Sequence, residues 1–405
     1  MNTSKRLIAG MVCMLVIMLL SGCADRVEPG ELLVVTAVGV TKGEKGRYHF
    51  YFEGINPSEF TETKRQNISN SFVFDNEADA LSGAIAIISQ EIPLKPEFSH
   101  MQLIAIDKQL LEKGDYDYLD FADRFDQIRN TLTLVAVNGD ELGHIFATTT
   151  PSLTIPSFGI LRQLNELHNS VGGNYPTSLL QFMKNLTESG HNPTLPYVQI
   201  QNPDKKAESI DYAKQLNKQT KINLKSIAVF KEEKLVGELK NLQARDAVVL
   251  QGLGRNTLYN YNCGPNKFVS IALQFASVNK KVTYKQDKPV LKVYMHAAGT
   301  INSIQCANYF NGKSEDYNRI NKEIDKSIKQ DLMETLTTVQ QKYKSDIFGF
   351  GEALRISNYK KFKQVKDRWD EEFSRAEVEV EVKINVQRSG IRGEPFTNRI
   401  KNKKY

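Results

Sequence analysis

The sequence has little that points to catalysis, metal binding or a bound cofactor. Its six histidines are scattered along the chain, at His49, His100, His144, His168, His191 and His296. None of them stands at ligand spacing from another histidine, a cysteine or a short carboxylate motif, which argues against a metal site. A nucleophile elbow is also absent. We therefore predict that the protein is not an enzyme and carries no metal and no cofactor.

Two further patterns fall short of a ligand site. Five aspartates lie between Asp115 and Asp126. The glycine and the terminal glutamate of a calcium loop are missing there, so a solvated helix face is the better interpretation. The glycine pairs at 252–254 and 349–351 do not complete a phosphate-binding loop after a predicted strand. The first pair is typical of a turn, and the second, beside two phenylalanines, is typical of close helix packing.

The chain also lacks a basic face of the kind that binds nucleic acid. Its 53 Lys and Arg are interspersed with 47 Asp and Glu, and the net charge is only +6. The exception is the stretch from Arg388 to Tyr405, where Glu394 is the lone acid and where we define residues 391–405 as a basic tail. Such a tail can touch anionic lipid headgroups, but a solvated chain end is the favoured interpretation. No nucleic-acid partner is predicted.

One long apolar run is present, and it lies at the start of the chain. Lys5 and Arg6 precede fourteen largely apolar residues from Leu7 to Leu20. A membrane-spanning helix needs roughly 20 such residues. A basic start, a short apolar run and small residues before a cleavage point are typical of a removable export signal. We predict this signal over residues 1–22.

The tetrad Leu20-Ser21-Gly22-Cys23 has the form of a bacterial lipobox. The thiol of Cys23 is the only side-chain group there that can form a thioether with a diacylglyceryl group. We therefore predict lipidation at Cys23, with two acyl chains that give stable anchoring in membrane lipid. No other run is long and apolar enough to span a bilayer, so the mature protein is predicted to be anchored and not inserted. Loss of Lys5 and Arg6 with the signal lowers the net charge by two.

Two cysteines remain after processing. Cys13 leaves with the signal and Cys23 is lipidated, which leaves Cys263 and Cys306. An even pair outside the membrane permits a disulfide. Two separate buried thiols fit the sequence almost as well, because spacing does not reveal proximity in the fold.

Helix and strand patterns alternate through the first half of the mature chain, residues 23–205. Continuous apolar runs predict buried strands, and helical spacing of apolar residues predicts helices. The strands are predicted at Leu32–Val40, Tyr48–Ile55, Met101–Ile106 and Leu132–Val137, and the helices at Ala78–Gln90 and Tyr116–Ile128. Several prolines between Pro151 and Pro203 weaken the pattern, and the polar stretch 206–221 is predicted to be a linker.

The second half, residues 222–390, is predicted to be a mixed α/β domain. A hairpin is predicted around residues 227–236. Further strands, at Phe268–Val278 and Val290–Ile301, are predicted to continue its sheet. Apolar residues recur every fourth position from Ile320 to Leu336, which predicts a long amphipathic helix. A second helix over Phe362–Phe373 and a strictly alternating strand over Val378–Val386 complete the pattern.

Several segments together resemble the Ger(x)C family of spore germination lipoproteins, the C subunits of nutrient germinant receptors in endospore-forming bacteria. They follow one another along the chain at Gly22–Arg26, Leu33–Val40, Phe98–His100, Leu103–Ile106, Pro193–Pro196, Ile227–Phe230, Leu235–Gly237, Asp346–Glu352 and Trp369. Their order and spacing make the resemblance specific. The chain departs from the family at Ala24, where a tryptophan commonly follows the lipidated cysteine, and in its basic extension.

The resemblance implies a mixed α/β fold of about three small domains, each a sheet with surrounding helices. It also implies a position at the outer face of the inner spore membrane, with an A subunit and a transporter-like B subunit as partners. Such a receptor senses small nutrients and triggers release of ions and dipicolinate. The main alternative is a solute-binding lipoprotein that delivers a nutrient to a transporter. That alternative requires two similar lobes, whereas the two halves of this sequence share no common βα repeat.

Overall fold

The computed structural model describes residues 28–55, 71–148, 155–204, 220–306 and 313–388, together with the single residues 11, 310, 396 and 400. The export signal, Cys23, most of the predicted linker and nearly all of the basic tail therefore lie outside the described residues.

Ten strands form the first sheet, in the order β10-β9-β8-β6-β5-β1-β2-β3, with β4 beside β1 and β7 beside β6. The strands are β1 (Leu32–Lys42), β2 (Tyr48–Ile55), β3 (Phe72–Ala78), β4 (Lys95–Glu97), β5 (Leu103–Asp107), β6 (Thr133–Val137), β7 (Thr177–Ser178), β8 (Thr194–Gln201), β9 (Lys221–Lys231) and β10 (Lys234–Lys240). The helices between them are α1 (Leu81–Glu91), α2 (Lys108–Lys113), α3 (Asp117–Arg124), α4 (Leu142–Ala147), α5 (Pro156–Glu166) and α6 (Leu179–Thr187).

Both faces of the first sheet are covered, which explains its unbroken apolar strands. In β5, Ile104 and Ile106 point into one hydrophobic core, while Leu103 and Ala105 point into another on the opposite face. The parallel pairing of β1, β5, β6 and β8 requires helical crossovers, and these crossovers supply the covering layers. The mixed α/β class predicted from the alternating pattern is confirmed.

The second sheet has four strands in the order β11-β12-β13-β14. The strands and the helices around them are α7 (Leu242–Gln251), β11 (Asn256–Gly264), β12 (Lys267–Lys285), β13 (Lys288–Ile304), α8 (Ser314–Thr338), α9 (Phe350–Ser357), α10 (Tyr359–Val365), α11 (Trp369–Ser374) and β14 (Glu377–Arg388). Along α8 the residues Ile320, Ile324, Ile328, Leu332 and Leu336 are fully buried. The long amphipathic helix predicted from their spacing is confirmed.

The structure corrects one strand assignment. The hairpin formed by β9 and β10 was expected to share a sheet with β12 and β13, but β9 pairs with β8 and so extends the first sheet. The reason lies in how β9 is buried. Ile227 and Val229 pack in the core of the second sheet, whereas Ala228 and Phe230 pack in the core of the first. The hairpin therefore links the two halves, and the described strands form two sheets.

A second correction concerns the predicted helix over Phe362–Phe373. The chain forms α10, a short 3-10 turn at Lys366–Arg368 and then α11. The apolar stripe persists, because Phe362, Val365, Trp369 and Phe373 are all buried.

A disulfide joins Cys263, at the end of β11, to Cys306, just after β13. The two residues are 43 positions apart. It ties the edge strand of the second sheet to the strand two positions away.

Candidate functional site at the junction of the two sheets

Several family-like segments that are far apart in the sequence meet where the two sheets join. The loop 190–194 leads into β8 of the first sheet, and the motif Asp346–Glu352 leads into α9 beside the second. The hairpin β9–β10 and Trp369 complete the contact. We call this region the junction. Its geometry shows what these segments do in the fold.

Asp346 is the centre of the junction and is completely buried. Its Oδ1 accepts hydrogen bonds from the backbone N–H of Phe348 and Gly349, at 3.1 and 2.9 Å. Its Oδ2 accepts from the backbone N–H of Gly351 and from the indole Nε1–H of Trp369, both at 2.8 Å. Four donors compensate the carboxylate for its loss of water, as a buried acid requires. The single tryptophan is thus a core residue, as its apolar stripe predicts, and its polar edge is also used.

The glycines of the motif are required by close backbone approach. Gly349 has φ +80°, a left-handed conformation that favours glycine. A Cβ on Gly351 would lie 2.5 Å from Cα of Gly190 and 2.6 Å from Nε1 of Trp369. The backbone N–H of Glu352 donates to the carbonyl of Gly190 at 3.1 Å. Two glycine backbones therefore touch across the junction, where any side chain would separate them.

Asn192 connects three segments at once and is 9% exposed. Its backbone N–H donates to the carbonyl of Asp346 at 2.8 Å. Its Nδ2 donates to Oδ1 of Asp370 at 2.9 Å. Its Oδ1 accepts from the backbone N–H of Glu232, in the turn between β9 and β10, at 2.8 Å. Asn192 thereby fixes the positions of the loop before β8, the turn of the hairpin and the start of α11 relative to one another.

Two ionisable groups at the junction are perturbed by burial. Burial raises the pKa of Asp370 to about 6, against the opposing effect of the backbone N–H of Asp346. Burial lowers the pKa of Lys280 to about 8. The ammonium of Lys280 donates to the carbonyls of Gln251 and Phe348, at 2.9 and 2.6 Å. These contacts of Lys280 hold the backbone at Gln251 and Phe348.

His191 and Glu352 form the charged rim of the junction. Nε2 of His191 lies 3.1 Å from the carbonyl of Ile347, which can only accept, so Nε2 donates. The hydrogen bond from His191 lowers the pKa of Glu352 to about 2, with Lys184 adding to the effect. Nζ of Lys184 lies 3.6 Å from Oε1 of Glu352. This rim pairs α6 of the first half with α9 of the second.

The hairpin is fixed from its other side by Tyr343. The hydroxyl of Tyr343 donates to the carbonyl of Glu238 at 2.7 Å. A Cβ on Gly237 would collide with the ring of Tyr343. The hydroxyl of Ser345 also donates to the carbonyl of Phe230. The family-like segment Leu235–Gly237 therefore provides a flat strand surface on which the tyrosine ring lies.

A polar cleft of about 310 Å³ opens beside the junction, between the end of α6, the turn of the hairpin and the 366–371 segment. Asp370 and Asn192 lie in its wall. Within the described ranges, no group of three or more His, Cys, Asp or Glu side chains is placed to hold a metal ion. The hydrogen bonds of Asp346, Asn192 and Lys280 at the junction join the two halves of the chain.

The site residues predicted from the sequence, Cys23, Cys263 and Cys306, are not among those described at the junction. Cys23 lies outside the described residues, so its lipidation stays a prediction. Cys263 and Cys306 are bonded to each other and belong to the second sheet. Sequence reasoning did not identify Asn192, Asp370 or Lys280 as important. The sequence signal that points to the junction is the family resemblance, because Asp346–Glu352 and Trp369 are among its segments.

Comparison with known proteins covers both halves of the chain. The family model described as "Spore germination protein N-terminal domain" matches residues 25–200. The model described as "Spore germination B3/ GerAC like, C-terminal" matches residues 225–390. The chain belongs to the Ger(x)C family of spore germination proteins.

Members of this family from Bacillus subtilis (strain 168) resemble the chain over most of its length. Spore germination protein KC is 22% identical over 98% of this chain and 99% of its own length. Putative spore germination protein YfkR is 24% identical over 72% of each chain. The solved structure titled "Crystal Structure of the GerBC protein" matches with a TM-score of 0.54 at 14% identity, over 86% of this chain and 96% of that one. This last likeness concerns the fold.

The two Ger(x)C family models meet at the junction. Asn192 lies in the N-terminal match, and Asp346 and Asp370 lie in the C-terminal match. Most of the hairpin also lies in the C-terminal match, which begins at residue 225, although its strands complete the N-terminal sheet. No helix in the described part of the chain is long and apolar enough to cross a membrane.

Proposed function

We propose that this chain is the lipid-anchored, non-enzymatic C subunit of a nutrient germinant receptor. The observation that carries the proposal is the junction. Its family-like segments, Asp346–Glu352 and Pro193–Pro196, are used to join the two halves into one body, and the ionisable groups there hold backbone. A protein whose most characteristic residues serve internal assembly is suited to binding partners, and less so to transforming a substrate.

The anchor in this proposal is Cys23. The lipobox Leu20–Cys23 supports it, and two acyl chains give the stable attachment that one chain does not. The anchor places the folded body at the outer face of the inner spore membrane. There the body meets membrane-embedded A and B subunits. Confinement to one membrane raises the effective concentration, so that weak contacts between subunits suffice for assembly.

A deletion experiment tests the receptor assignment. Spores that lack the protein should lose the response to the nutrients of one receptor, measured as the fall in optical density after nutrient addition. They should still germinate with exogenous calcium dipicolinate, which in the family's general scheme acts downstream of nutrient sensing. A normal response to every nutrient, with the neighbouring A and B subunits present, would contradict the proposal.

The anchor and the partners are tested separately. The Cys23→Ala variant should lose metabolic acyl labelling and its membrane attachment, and it should restore the nutrient response poorly. Co-purification of the A and B subunits with the wild-type chain from solubilised spore membranes tests the assembly. If the chain instead retained a free nutrient and recovered no receptor subunit, the solute-binding alternative would be favoured.

A further inference from the structure

The surface at the corner between α9 and α10 combines many basic residues with two exposed apolar side chains. Residues 355–368 hold six Lys and Arg against the single acid Asp367. At this corner Ile356 is 76% exposed and Tyr359 is 65% exposed, the largest exposed fractions among the large hydrophobic side chains that the structure describes between residues 28 and 388. We call Ile356, Tyr359, Lys360, Lys363 and Lys366 the basic corner.

Ile356 lies near the end of α9, Tyr359, Lys360 and Lys363 lie on α10, and Lys366 begins the 3-10 turn that follows. All five side chains are exposed, whereas Phe362 and Val365 of α10 are buried in the core. The corner therefore presents two apolar side chains surrounded by ammonium groups.

The charges of the basic corner are only partly neutralised within the protein. Lys366 lies 3.4 Å from Asp367. Neither Lys360 nor Lys363 forms an ion pair with any described residue. The tip of the β12–β13 hairpin lies against α10, where Nζ of Lys361 is 3.9 Å from Asp287 and 4.4 Å from the ring centre of Tyr284. This tip adds the exposed Lys288 to the same surface.

We propose that the basic corner docks on an anionic bilayer surface. Exposed apolar side chains gain free energy by entering the headgroup region, and lysine ammonium groups reach lipid phosphates while their stems lie along apolar surface. Tyrosine suits the boundary because its ring is apolar and its hydroxyl polar. This inference rests on the proposed anchor, which holds the body beside a membrane. Docking would fix the orientation of the body relative to that membrane.

The test uses the mature lipidated protein, reconstituted in vesicles, with a fluorophore on Tyr359→Cys. Cys23 is capped by lipid and Cys263 is bonded to Cys306, so the introduced thiol is the reactive one. Vesicles contain phosphatidylcholine alone or phosphatidylcholine mixed with phosphatidylglycerol, each with a lipid that carries a quencher. The matched control is Leu242→Cys, since Leu242 is 62% exposed and lies outside the basic corner.

Docking predicts quenching at Tyr359→Cys that is strong with phosphatidylglycerol, weak without it and weakened by salt. The control label should be quenched little in either vesicle. Lys360→Glu/Lys363→Glu should lower the ratio of docked to undocked protein by about fivefold or more for each lysine replaced. Lys322→Glu/Lys329→Glu, on the exposed side of α8, changes the net charge equally and should have little effect.

Any one of four results would overturn the proposal. Equal quenching at the two labelled positions would show no preferred docking face. Quenching that ignores phosphatidylglycerol, or that responds equally to both pairs of charge reversals, would exclude recognition of anionic lipid by this corner. Lipid quenching at Tyr359→Cys that falls as the protein-to-lipid ratio rises would assign the corner to contact with a second copy of the chain.

The same vesicles separate failure of docking from failure of the anchor. Flotation reports the anchor, because an anchored protein floats with vesicles of either composition. If the chain proves not to be lipidated, Cys23→Ala is added to each labelled variant, so that the introduced thiol stays the reactive one, and the protein is added to preformed vesicles of the same two compositions. The comparison of labels and charge reversals is then unchanged. Circular dichroism shows whether each variant is folded.

Discussion

The side-chain amide of Asn192 donates to Oδ1 of Asp370 at 2.9 Å, and the two residues are 178 positions apart in the chain. This single contact joins the loop before β8 to the start of α11. Oδ1 of Asn192 also accepts a hydrogen bond from the backbone N–H of Glu232. The side chain of Asn192 therefore makes both of its hydrogen bonds only when the hairpin and α11 are in place. The junction is therefore the most informative place to perturb the fold.

Asn192→Ala should lower the free energy of unfolding by roughly 2–4 kcal/mol, because it removes the acceptor of the Glu232 N–H and one of the two donors to the Asp370 carboxylate, the N–H of Asp346 being the other. We expect calorimetry to show a lower midpoint and a broader transition, as the two halves lose their coupling. The control is Asn185→Ala, which shortens the same residue type in the wall of the same cleft. Equal midpoints for the two variants would mean that Asn192 does not couple the halves.

Asp370 should give the stability of the protein a recognisable pH dependence. Its pKa is about 6 in the folded protein against an ordinary value of 3.8, chiefly because of burial; the backbone N–H of Asp346 lowers this pKa, the charge of the Asp346 side chain raises it, and Lys231 lowers it. The folded state therefore binds this proton more tightly than the unfolded state does. The contribution of Asp370 to stability is present below its unfolded pKa and is lost as the pH rises through about 6, by about 1–3 kcal/mol.

Asp370→Asn tests this sign, because it keeps an oxygen to accept from Asn192 but cannot ionise. Relative to the wild type, the variant should gain stability between pH 4 and pH 7, measured by denaturant unfolding at each pH. A difference between the two proteins that does not change over that range would contradict the assigned pKa.

Gly351→Ala should destabilise the junction by about 1–3 kcal/mol, because the new Cβ would lie 2.5 Å from the backbone of Gly190. The matched control is Gly173→Ala, where a Cβ meets nothing within 4 Å. The thermal midpoint of the control should stay near that of the wild type. If both variants melted alike, the close approach of the two backbones would not be a source of stability.

Some elements of this fold can be predicted from the sequence, and others cannot. The spacing of Ile320 to Leu336 and the alternation of Val378 to Val386 predict α8 and β14, because local periodicity decides those elements. The pattern of β9 predicts a buried strand, but does not identify its sheet. Ile227 and Phe230 face different cores, and only the pairing with β8 decides where the strand belongs.

The candidate site is harder to predict because its donors are mostly backbone. Asp346 is held by the N–H groups of Phe348, Gly349 and Gly351, and backbone N–H groups are common to every sequence apart from proline. What the sequence shows is a pair of glycines beside an aspartate. The partner across the junction, Gly190, is more than 150 residues away and carries no motif of its own.

The disulfide between Cys263 and Cys306 leads to the last prediction. The two cysteines close a loop of 43 positions. In the chain-entropy account such a crosslink restricts the unfolded state, which corresponds to roughly 3–4 kcal/mol for a loop of this size. Cys263→Ser/Cys306→Ser should therefore lower the melting midpoint, and a reducing agent should lower that of the wild type toward the same value. The same reagent should leave the double variant unchanged.

Whether the disulfide forms should also depend on the cellular compartment in which the chain folds. Disulfides persist outside the cytosol, where the chain is expected to reside if its signal directs export. Alkylation of the denatured, unreduced protein should therefore leave Cys263 and Cys306 unmodified when the chain is taken from membranes. Mass spectrometry should find both alkylated when the chain is produced without residues 1–22 in a reducing cytosol. Full alkylation of the exported chain would show that the bond does not form.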